Sequence, residues 1–430
     1  MKKTKQNKAL VWFKNDLRTA NHHPLNDAVL YHDAVFCLYI INTAHDHQIN
    51  ISDKRVSFLF QHLSALQKEI RDKGGELFVF EGNPAGILKD FCAQHTIRHV
   101  YTYDEFAWYE TLMLETVRET LEDASIELHI SEGQTLIPES ALMGGISSIP
   151  FMWSDFRKKQ EHLCETSAAV PSPESIPYQG PRQQEVLQSI FRNVFGNLFC
   201  TTSGVFQESM ENAGSRIRYY FREDGPCMHY HLTRNGMLHK DDSSRMSVWL
   251  SCGAISAVQV YQQLCRVFKN AEHESFIAYR NELLWRDFFC FSFKKNGKKY
   301  FLKNGIRKSG KTTVPDLNKL NAWKYSRTGV DLIDAIMHEL LETGYITNRS
   351  RQIAASYLVN DLQQDWTEGA AWFEYHLLDY NPCLNWGNWA YIAGVGNDPR
   401  PNRYFNPTLQ AEKYDPDFAY RNKWSAIQTQ

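Results

Sequence analysis

Short apolar runs, rich in β-branched and aromatic residues, recur through the first third of the chain. They lie at residues 9–13, 34–41, 76–80, 99–103 and 126–130. Runs of this length, separated by segments with apolar residues at helical spacing, predict strands that alternate with helices. Such alternation favours a doubly wound, parallel and Rossmann-like sheet.

The turn after the first predicted strand carries no dinucleotide fingerprint. The sequence there is Lys14-Asn15-Asp16-Leu17-Arg18, whereas a nicotinamide-binding turn has the pattern GxGxxG. A nicotinamide-binding interpretation of the sheet therefore lacks its main sequence support.

The pattern changes beyond residue 133. Residues 134–192 are irregular and rich in proline, which indicates a long connection between domains. Helical periodicity then appears in the segments 248–268, 275–293, 329–342 and 349–361. We therefore expect an α/β domain at 1–133, a linker at 134–192 and an all-α domain at 193–430.

Composition narrows the class of protein. Apolar residues make up 43% and charged residues 22% of the chain, as in ordinary globular proteins. The net charge of −2 means that any DNA binding must come from a local basic groove. Nine cysteines without a CxxC pair predict reduced thiols. No apolar stretch is long enough to cross a membrane, so we expect a soluble, cytoplasmic protein. We also expect it to be a monomer.

Aromatic residues are numerous, with 11 Trp, 21 Tyr and 25 Phe. Core packing explains most of them. A chain rich in tryptophan is also suited to electron transfer or to the stacking of nucleic acid bases.

Residues 305–312 match the phosphate-loop pattern GxxxxGK[ST]. A true phosphate loop follows a buried strand and begins a helix. Here a lysine-rich stretch precedes the loop and Pro315 follows it, so a solvated basic loop is favoured. A nucleotide hydrolase remains the alternative from another class. The lysines and arginines between 294 and 311 form either solvated surface or a rim that faces DNA.

A first cluster of polar residues precedes a predicted helix in the second half of the chain. The motif YHLTRNG at 230–236 is followed by DSSRMS at 242–247. Hydroxyl groups, backbone N–H groups and a helix N-terminus together form an anion cradle suited to a pyrophosphate. Ordinary helix capping explains the same residues.

A second cluster is Glu282 and Trp285, three residues apart and hence on one helical face. The alternative is a surface ion pair between Glu282 and Arg286 beside a core tryptophan. A third is Asn348 and Arg351, which also share a face and could bind a polar ring edge or cap a neighbouring helix.

A fourth cluster runs from residue 379 to 407. It contains NWGNWAYIAGVGNDPR at 385–400 and RYFNP at 403–407. Polar residues, glycines and aromatic residues are unusually dense there for a structural loop.

Taken in order, YxxTRNG, ELLWRDFF, TGYxTNRxRQ, NWGNWxYxAGVGNDPR and RYFNP resemble the flavin domain of the photolyase/cryptochrome family. The details TRNGML, GVGNDPR and RYFNP are similar to its DASH branch, and residues 11–18 resemble its N-terminal signature. The resemblance covers nearly the whole chain. It implies an α/β antenna domain, a linker and a helical domain that binds FAD.

The resemblance also implies residue roles. The ribityl chain and pyrophosphate of FAD would be held by Tyr230, Ser243, Ser244, Met246 and Ser247. The ring systems would be lined by Arg286, Asn348, Arg351, Asp379 and Asn381, with Asn385 near the reactive flavin nitrogen. An Asn there can hydrogen-bond a ring nitrogen without competing for its proton.

The activity implied is light-driven repair of DNA. Excited, reduced FAD would donate an electron to a flipped-out cyclobutane pyrimidine dimer. Glu282 would stabilise the resulting radical by hydrogen bonding to a pyrimidine carbonyl. Trp285 and Tyr391 would pack against the bases, and Arg349 and Arg403 would bind the flanking phosphates. Because a lesion must leave the stack, single-stranded DNA would be preferred. Blue-light signalling without repair remains the alternative.

Two positions depart from the family pattern. The electron relay of three tryptophans maps onto Trp389, Trp366 and Thr313, so its outer member is missing. Trp323 or a tyrosine could provide another exit. Asn381 stands where an Asp is expected, which removes a negative charge near the flavin.

The antenna is expected to be 5,10-methenyltetrahydrofolate, with Glu110 as candidate ligand. A surface helix glutamate is the alternative interpretation of Glu110. The segment His45-Asp46-His47 is interpreted as a surface loop, and no metal site is expected.

Overall fold

The computed structural model describes residues 7–44, 50–166, 169–183, 187–199, 213–307, 313, 315–398, 400 and 403–425. The segment His45-Asp46-His47 and residues 308–312 of the phosphate-loop match lie outside the described residues. The chain divides into two compact units. The first comprises Met1–Leu142, Leu163–Thr202 and Trp249–Val260, and the second comprises Met143–His162, Ser203–Val248 and Tyr261–Gln430.

The first unit contains a five-stranded parallel sheet of order β3-β2-β1-β4-β5. Its strands are β1 (Lys8–Phe13), β2 (Ala34–Ile41), β3 (Leu77–Glu81), β4 (His99–Tyr103) and β5 (Glu127–Ser131). Helices connect them, namely α1 (His23–Tyr31), α2 (Asp53–Asp72), α3 (Pro84–His95) and α4 (Trp108–Asp123). The predicted doubly wound sheet is confirmed, and each strand lies within one residue of its predicted bounds.

Two apolar layers cover the faces of this sheet. Val11, Val35 and Val79 belong to one layer, whereas Leu10, Leu38 and Val100 belong to the other. Side chains of a strand alternate between faces, so a parallel strand buried on both faces is apolar throughout. This is why the runs were visible in the sequence.

Short helices follow the sheet along the chain. They are α5 (Trp153–Gln160), α6 (Leu187–Phe195), α7 (Ala213–Tyr220), α8 (Tyr230–Thr233), α9 (Ser247–Ser251) and α10 (Ala257–Val267). The continuous helix expected over 248–268 is wrong. The chain breaks between α9 and α10, where Gly253 has a φ of +71° and a Cβ would lie 2.1 Å from the carbonyl oxygen of Asn15.

The second unit is mainly helical, and the fold class of an α/β region plus an all-α region is confirmed. Its longest helix is α11 (Glu274–Asn296). The helices that follow are α12 (Leu317–Lys324), α13 (Asp331–Thr343), α14 (Asn348–Ser356), α15 (Trp366–His376), α16 (Pro382–Ile392), α17 (Pro407–Tyr414) and α18 (Ala419–Ser425). A π-helical turn at Tyr357–Asp361 continues α14, within the helix predicted over 349–361.

Among the described residues, no helix is long and apolar enough to cross a membrane. The residues before the phosphate-loop match form a 3-10 helix at Gly297–Phe301 rather than a strand. The structural context required for a phosphate loop is therefore missing on its N-terminal side.

Candidate functional site

A buried arginine donates hydrogen bonds to the backbone of the serine-rich turn, residues 242–247, which leads into α9. Arg216, on α7, donates hydrogen bonds to the carbonyl oxygens of Ser243 and Ser244, each at 3.0 Å. The hydroxyl of Ser244 lies 2.6 Å from that of Tyr279 and accepts a hydrogen bond from the N–H of Met246. Sequence reasoning missed Arg216, because its partners lie 24 to 28 residues farther along the chain.

The other residues of the predicted cradle are Ser247 and Tyr230, whose ring centroid lies 4.9 Å from that of Tyr279. Ser247 begins α9, and Tyr230 begins α8 with its side chain buried. Burial raises the pKa of Tyr230 well above its usual value, so its hydroxyl stays protonated. Hydroxyl groups held in this way can donate hydrogen bonds to an anionic ligand without carrying charge themselves.

Arg351 and Asp379 form an ion pair within the second unit. One guanidinium nitrogen of Arg351 lies 2.8 Å from both carboxylate oxygens of Asp379. The Nε of Arg351 also donates to the carbonyl oxygen of Ile346. Asp379 is 2% exposed and Arg351 is 26% exposed, so the pair has one buried side and one accessible side.

Two asparagines near Asp379 have fixed orientations. The side-chain oxygen of Asn381 accepts a hydrogen bond from the N–H of Leu384 and thereby caps α16. The amide nitrogen of Asn385 donates to the carbonyl oxygen of Ala370 at 2.9 Å. This bond directs the side-chain oxygen of Asn385 away from Ala370. The oxygen is therefore able to accept a hydrogen bond from a ring N–H.

Arg286 and Asn348 are the remaining residues predicted to line the rings. Arg286 is 11% exposed and lies 3.8 Å from the carboxylate of Asp287. Asn348 begins α14 and is exposed.

Glu282 forms an ion pair with Arg234. Oε1 of Glu282 lies 2.6 Å from Nη1 of Arg234, a partner that the sequence did not indicate. Burial raises the pKa of Glu282 although Arg234 lowers it. The side chain is nevertheless 35% exposed.

Trp285 lies one helical turn from Glu282 within an aromatic cluster. Trp153 stacks on it with ring centroids 4.6 Å apart and planes at 2°. Tyr391 meets it edge-on at 5.9 Å. Sequence reasoning missed Trp153, which lies in the stretch expected to be irregular linker.

The two arginines predicted to bind phosphates already have partners in the protein. Arg349 donates to the side-chain oxygen of Asn235 at 2.7 Å. Burial lowers the pKa of Arg349. Arg403 donates to the carboxylate of Asp398, and at 2.7 Å to the hydroxyl of Tyr391.

The predicted relay residues are buried among aromatic rings. Trp389 meets Trp323 at 6.0 Å, and Trp366 meets Trp386 at 5.8 Å. Trp386 and Trp389 are one turn apart on α16, which connects the two pairs. Thr313 occupies the outer relay position, and the structure describes it but not its neighbours, residues 312 and 314.

Glu110 belongs to the first unit. It lies in the first turn of α4 and is half-buried. The structure therefore places it on the sheet-bearing unit, where the antenna ligand was expected.

Comparison with known proteins identifies the class. The family model described as the FAD binding domain of DNA photolyase matches residues 279–427, and the model described as DNA photolyase matches residues 9–175. The matched FAD domain contains the Arg351–Asp379 pair and both oriented asparagines. The oriented asparagine oxygens and the partly accessible Arg351–Asp379 pair fit the polar edge of a flavin. FAD is the cofactor of this domain.

Relatives extend over nearly the whole chain. Cryptochrome DASH of Gloeobacter violaceus is 32% identical over 423 residues, which cover 96% of this chain and 85% of that protein. Cryptochrome DASH of Synechocystis is 34% identical and covers 96% and 86% of the two chains. The chain therefore belongs to the photolyase/cryptochrome family, within its DASH-type branch.

Solved structures agree with this assignment. A Synechocystis cryptochrome matches with a TM-score of 0.90 and 30% identity, covering 98% of this chain and 89% of the other. A bacterial class III photolyase from Agrobacterium tumefaciens matches with a TM-score of 0.85 and 25% identity, covering 98% and 87%.

Proposed function

We propose that this protein repairs cyclobutane pyrimidine dimers in DNA under blue light and prefers single-stranded DNA. The observation that carries the proposal is Glu282, a desolvated but accessible carboxyl group one helical turn from Trp285. When bound and reduced, FAD supplies an electron to the lesion upon excitation by light. The chain's own residues must then hold the cofactor, receive the dimer and donate a hydrogen bond to it.

Glu282 donates a hydrogen bond to the dimer in this proposal. Once the cyclobutane ring has split, the electron returns to the cofactor and Glu282 retains its proton, so the reaction has no net change in electrons or protons. Its raised pKa favours the protonated carboxyl group, which can donate a hydrogen bond to a pyrimidine carbonyl oxygen. That bond strengthens as negative charge develops on the oxygen. Arg234, at 2.6 Å, fixes the orientation of the carboxyl group.

Trp285 and Tyr391 provide the apolar contact with the bases. Their rings meet at 84°, so they form two walls of a corner in which a flipped-out base can pack. Trp153 supports Trp285 from its stacked position. Arg349 and Arg403 bind the flanking phosphates, and DNA must then compete with Asn235 and Asp398 for them.

The cofactor residues keep the roles implied by the family. Hydroxyl and backbone groups at the serine-rich turn hold the ribityl chain and pyrophosphate, through Tyr230, Ser243, Ser244, Met246 and Ser247. The rings are lined by Arg286, Asn348, Arg351, Asp379 and Asn381. Asn385 accepts a hydrogen bond from the reactive edge of the flavin, and Trp389 and Trp366 form the inner part of an electron relay.

We extend the proposal to the domain organisation and the antenna. Residues 1–133 form the antenna domain, 134–192 the linker and 193–430 the FAD domain, in a cytoplasmic monomer. The eight described cysteines are free thiols, as expected in a reducing compartment. Glu110 binds 5,10-methenyltetrahydrofolate. Mass spectrometry of the released chromophores tests this ligand, and Glu110→Gln should reduce its amount.

The deciding experiment uses a short single-stranded oligonucleotide with one thymine dimer. The holoprotein, chemically reduced and with its FAD content measured, is mixed with this substrate in blue light or in darkness. We expect light-dependent loss of the dimer, slower on the matched duplex. Glu282→Gln should slow repair by about a hundredfold or more, whereas Glu272→Gln, at an exposed glutamate, should not. No repair by a fully reduced, FAD-loaded protein would leave light signalling as the better account.

A further inference from the structure

A cluster of two histidines and one glutamate lies on the outer part of the sheet in the first unit, remote in sequence from every flavin-binding residue. His99 begins β4, and Glu127 and His129 belong to β5. The parallel register pairs His99 with Glu127 and Tyr101 with His129. Because side chains two residues apart point to the same face of a strand, His99 and Tyr101 share one face, as do Glu127 and His129.

Two of the three distances within this cluster are close to those of a metal coordination shell. Nδ1 of His99 lies 3.1 Å from Nε2 of His129 and 3.4 Å from Oε2 of Glu127. One ligand atom from each of the three residues falls within 4.8 Å of the others. In a tetrahedral zinc site with bonds of about 2.0–2.1 Å, neighbouring ligand atoms are about 3.3 Å apart.

Neighbouring side chains hold the imidazole rings in position. The ring of Tyr101 stacks on that of His129 with centroids 4.3 Å apart and planes at 15°. The hydroxyl of Tyr101 lies 2.9 Å from Nε2 of His32, at the end of α1. The stacking on Tyr101 restricts rotation of the His129 ring before an ion binds, so less side-chain freedom is lost on binding.

The cluster is also accessible. His99 is 30% exposed, His129 is 31% exposed and Glu127 is 64% exposed. An ion can therefore enter from solvent and retain a water molecule in a fourth position. Imidazole and carboxylate ligands suit borderline divalent ions such as Zn²⁺.

We propose that His99, Glu127 and His129 bind a divalent transition-metal ion of the zinc class. The ion joins β4 to β5, which is the last strand of the sheet. It thereby stabilises the folded form of this edge, since a ligand that binds only the folded state raises its stability. The proposal is independent of the repair activity. Sequence reasoning expected no metal, because the ligands lie 28 residues apart and only the strand register brings them together.

The test is an isothermal calorimetric titration of the full-length, FAD-loaded protein with Zn²⁺. We expect one ion per chain in this site. His129→Asn and His99→Asn should each weaken binding by roughly tenfold or more, as loss of an orienting or ligating group does. The matched control is His162→Asn, at an exposed histidine outside the cluster. If either variant folds poorly by circular dichroism, Glu127→Gln replaces it, because Glu127 is largely exposed.

X-ray absorption of the bound zinc separates this site from the free thiols. Nitrogen and oxygen ligands at about 2.0–2.1 Å support the proposal, whereas sulfur at about 2.3 Å overturns it. Unchanged affinity in the cluster variants, or no zinc binding by the parent protein, also overturns it. An increase in unfolding temperature with Zn²⁺, absent in His129→Asn, supports the stabilising role.

Discussion

The Glu282 carboxylate accepts a hydrogen bond from Arg234, whose Nη1 lies 2.6 Å from Oε1. The two residues are 48 positions apart and belong to α11 and to the turn after α8. Desolvation raises the pKa of Glu282, while the guanidinium of Arg234 lowers it. Arg234 therefore sets the fraction of Glu282 that carries a proton at a given pH.

This relationship predicts the pH dependence of repair. If the protonated carboxyl group is the active form, the repair rate falls as pH rises through the pKa of Glu282. Arg234→Gln removes the charge that lowers this pKa, so the falling limb should move to higher pH. The measurement is the single-turnover repair rate of the chemically reduced protein across pH.

The control for this profile is Arg266→Gln, at an exposed arginine of α10. Its profile should coincide with that of the parent protein. A profile for Arg234→Gln that keeps its midpoint, or moves it to lower pH, would contradict the role of the protonated Glu282 as hydrogen-bond donor.

Electrons should reach Trp389 mainly through Trp323, which is fully buried and so acts as an inner member of the relay rather than as its solvent-facing end. Trp323 meets Trp389 at 6.0 Å, whereas the route through Trp366 ends at Thr313, which has no aromatic ring. We expect Trp389→Phe to abolish photoreduction of the oxidised flavin by an external thiol. Trp323→Phe should slow it more than Trp366→Phe does. The loss of oxidised-flavin absorbance under blue light measures the rate.

The control is repair by the chemically reduced Trp389→Phe variant. Repair by reduced protein does not use the relay, so this variant should repair dimers at the rate of the parent protein. The reverse order, with Trp366→Phe inactive in photoreduction and Trp323→Phe unaffected, would contradict the proposed route.

The elements that the sequence predicted well are those that local pattern determines. Parallel strands are apolar on both faces, so β1 to β5 were visible as runs. The order of the flavin-domain motifs was sufficient to indicate the family. Neither signal requires knowledge of which distant residues meet.

The features that the sequence did not predict depend on tertiary contacts. Glu282 has a possible partner at i+4, yet it pairs with Arg234. Trp153 stacks on Trp285 from a stretch with no strong periodicity. The break between α9 and α10 arises where Gly253 approaches Asn15. In each case two positions far apart in the chain determine the geometry.

Asp379→Asn should weaken flavin binding through Arg351. The change leaves a largely buried amide opposite a guanidinium that now lacks its charge partner. Loss of a hydrogen-bonded partner of this kind costs about 1–3 kcal/mol. We expect lower FAD content after purification and a lower denaturation midpoint. Asp417→Asn, at an exposed aspartate, is the control, and equal FAD content in both variants would contradict the assignment.

Gly253→Ala should destabilise the first unit. Gly253 has a left-handed φ of +71°, and an added Cβ would lie 2.1 Å from the Asn15 carbonyl oxygen and 2.4 Å from the Cα of Asp16. Backbone atoms cannot move aside as a flexible side chain can, so overpacking adds to the cost of the left-handed conformation. Together these effects amount to about 2–5 kcal/mol. Gly86→Ala is the matched control, because a Cβ on this residue of α3 meets nothing within 4 Å, and alanine favours a helix by about 1 kcal/mol. Thermal unfolding followed by circular dichroism should show opposite shifts for the two variants, and similar shifts would show that the close approach to Asn15 is not rigid.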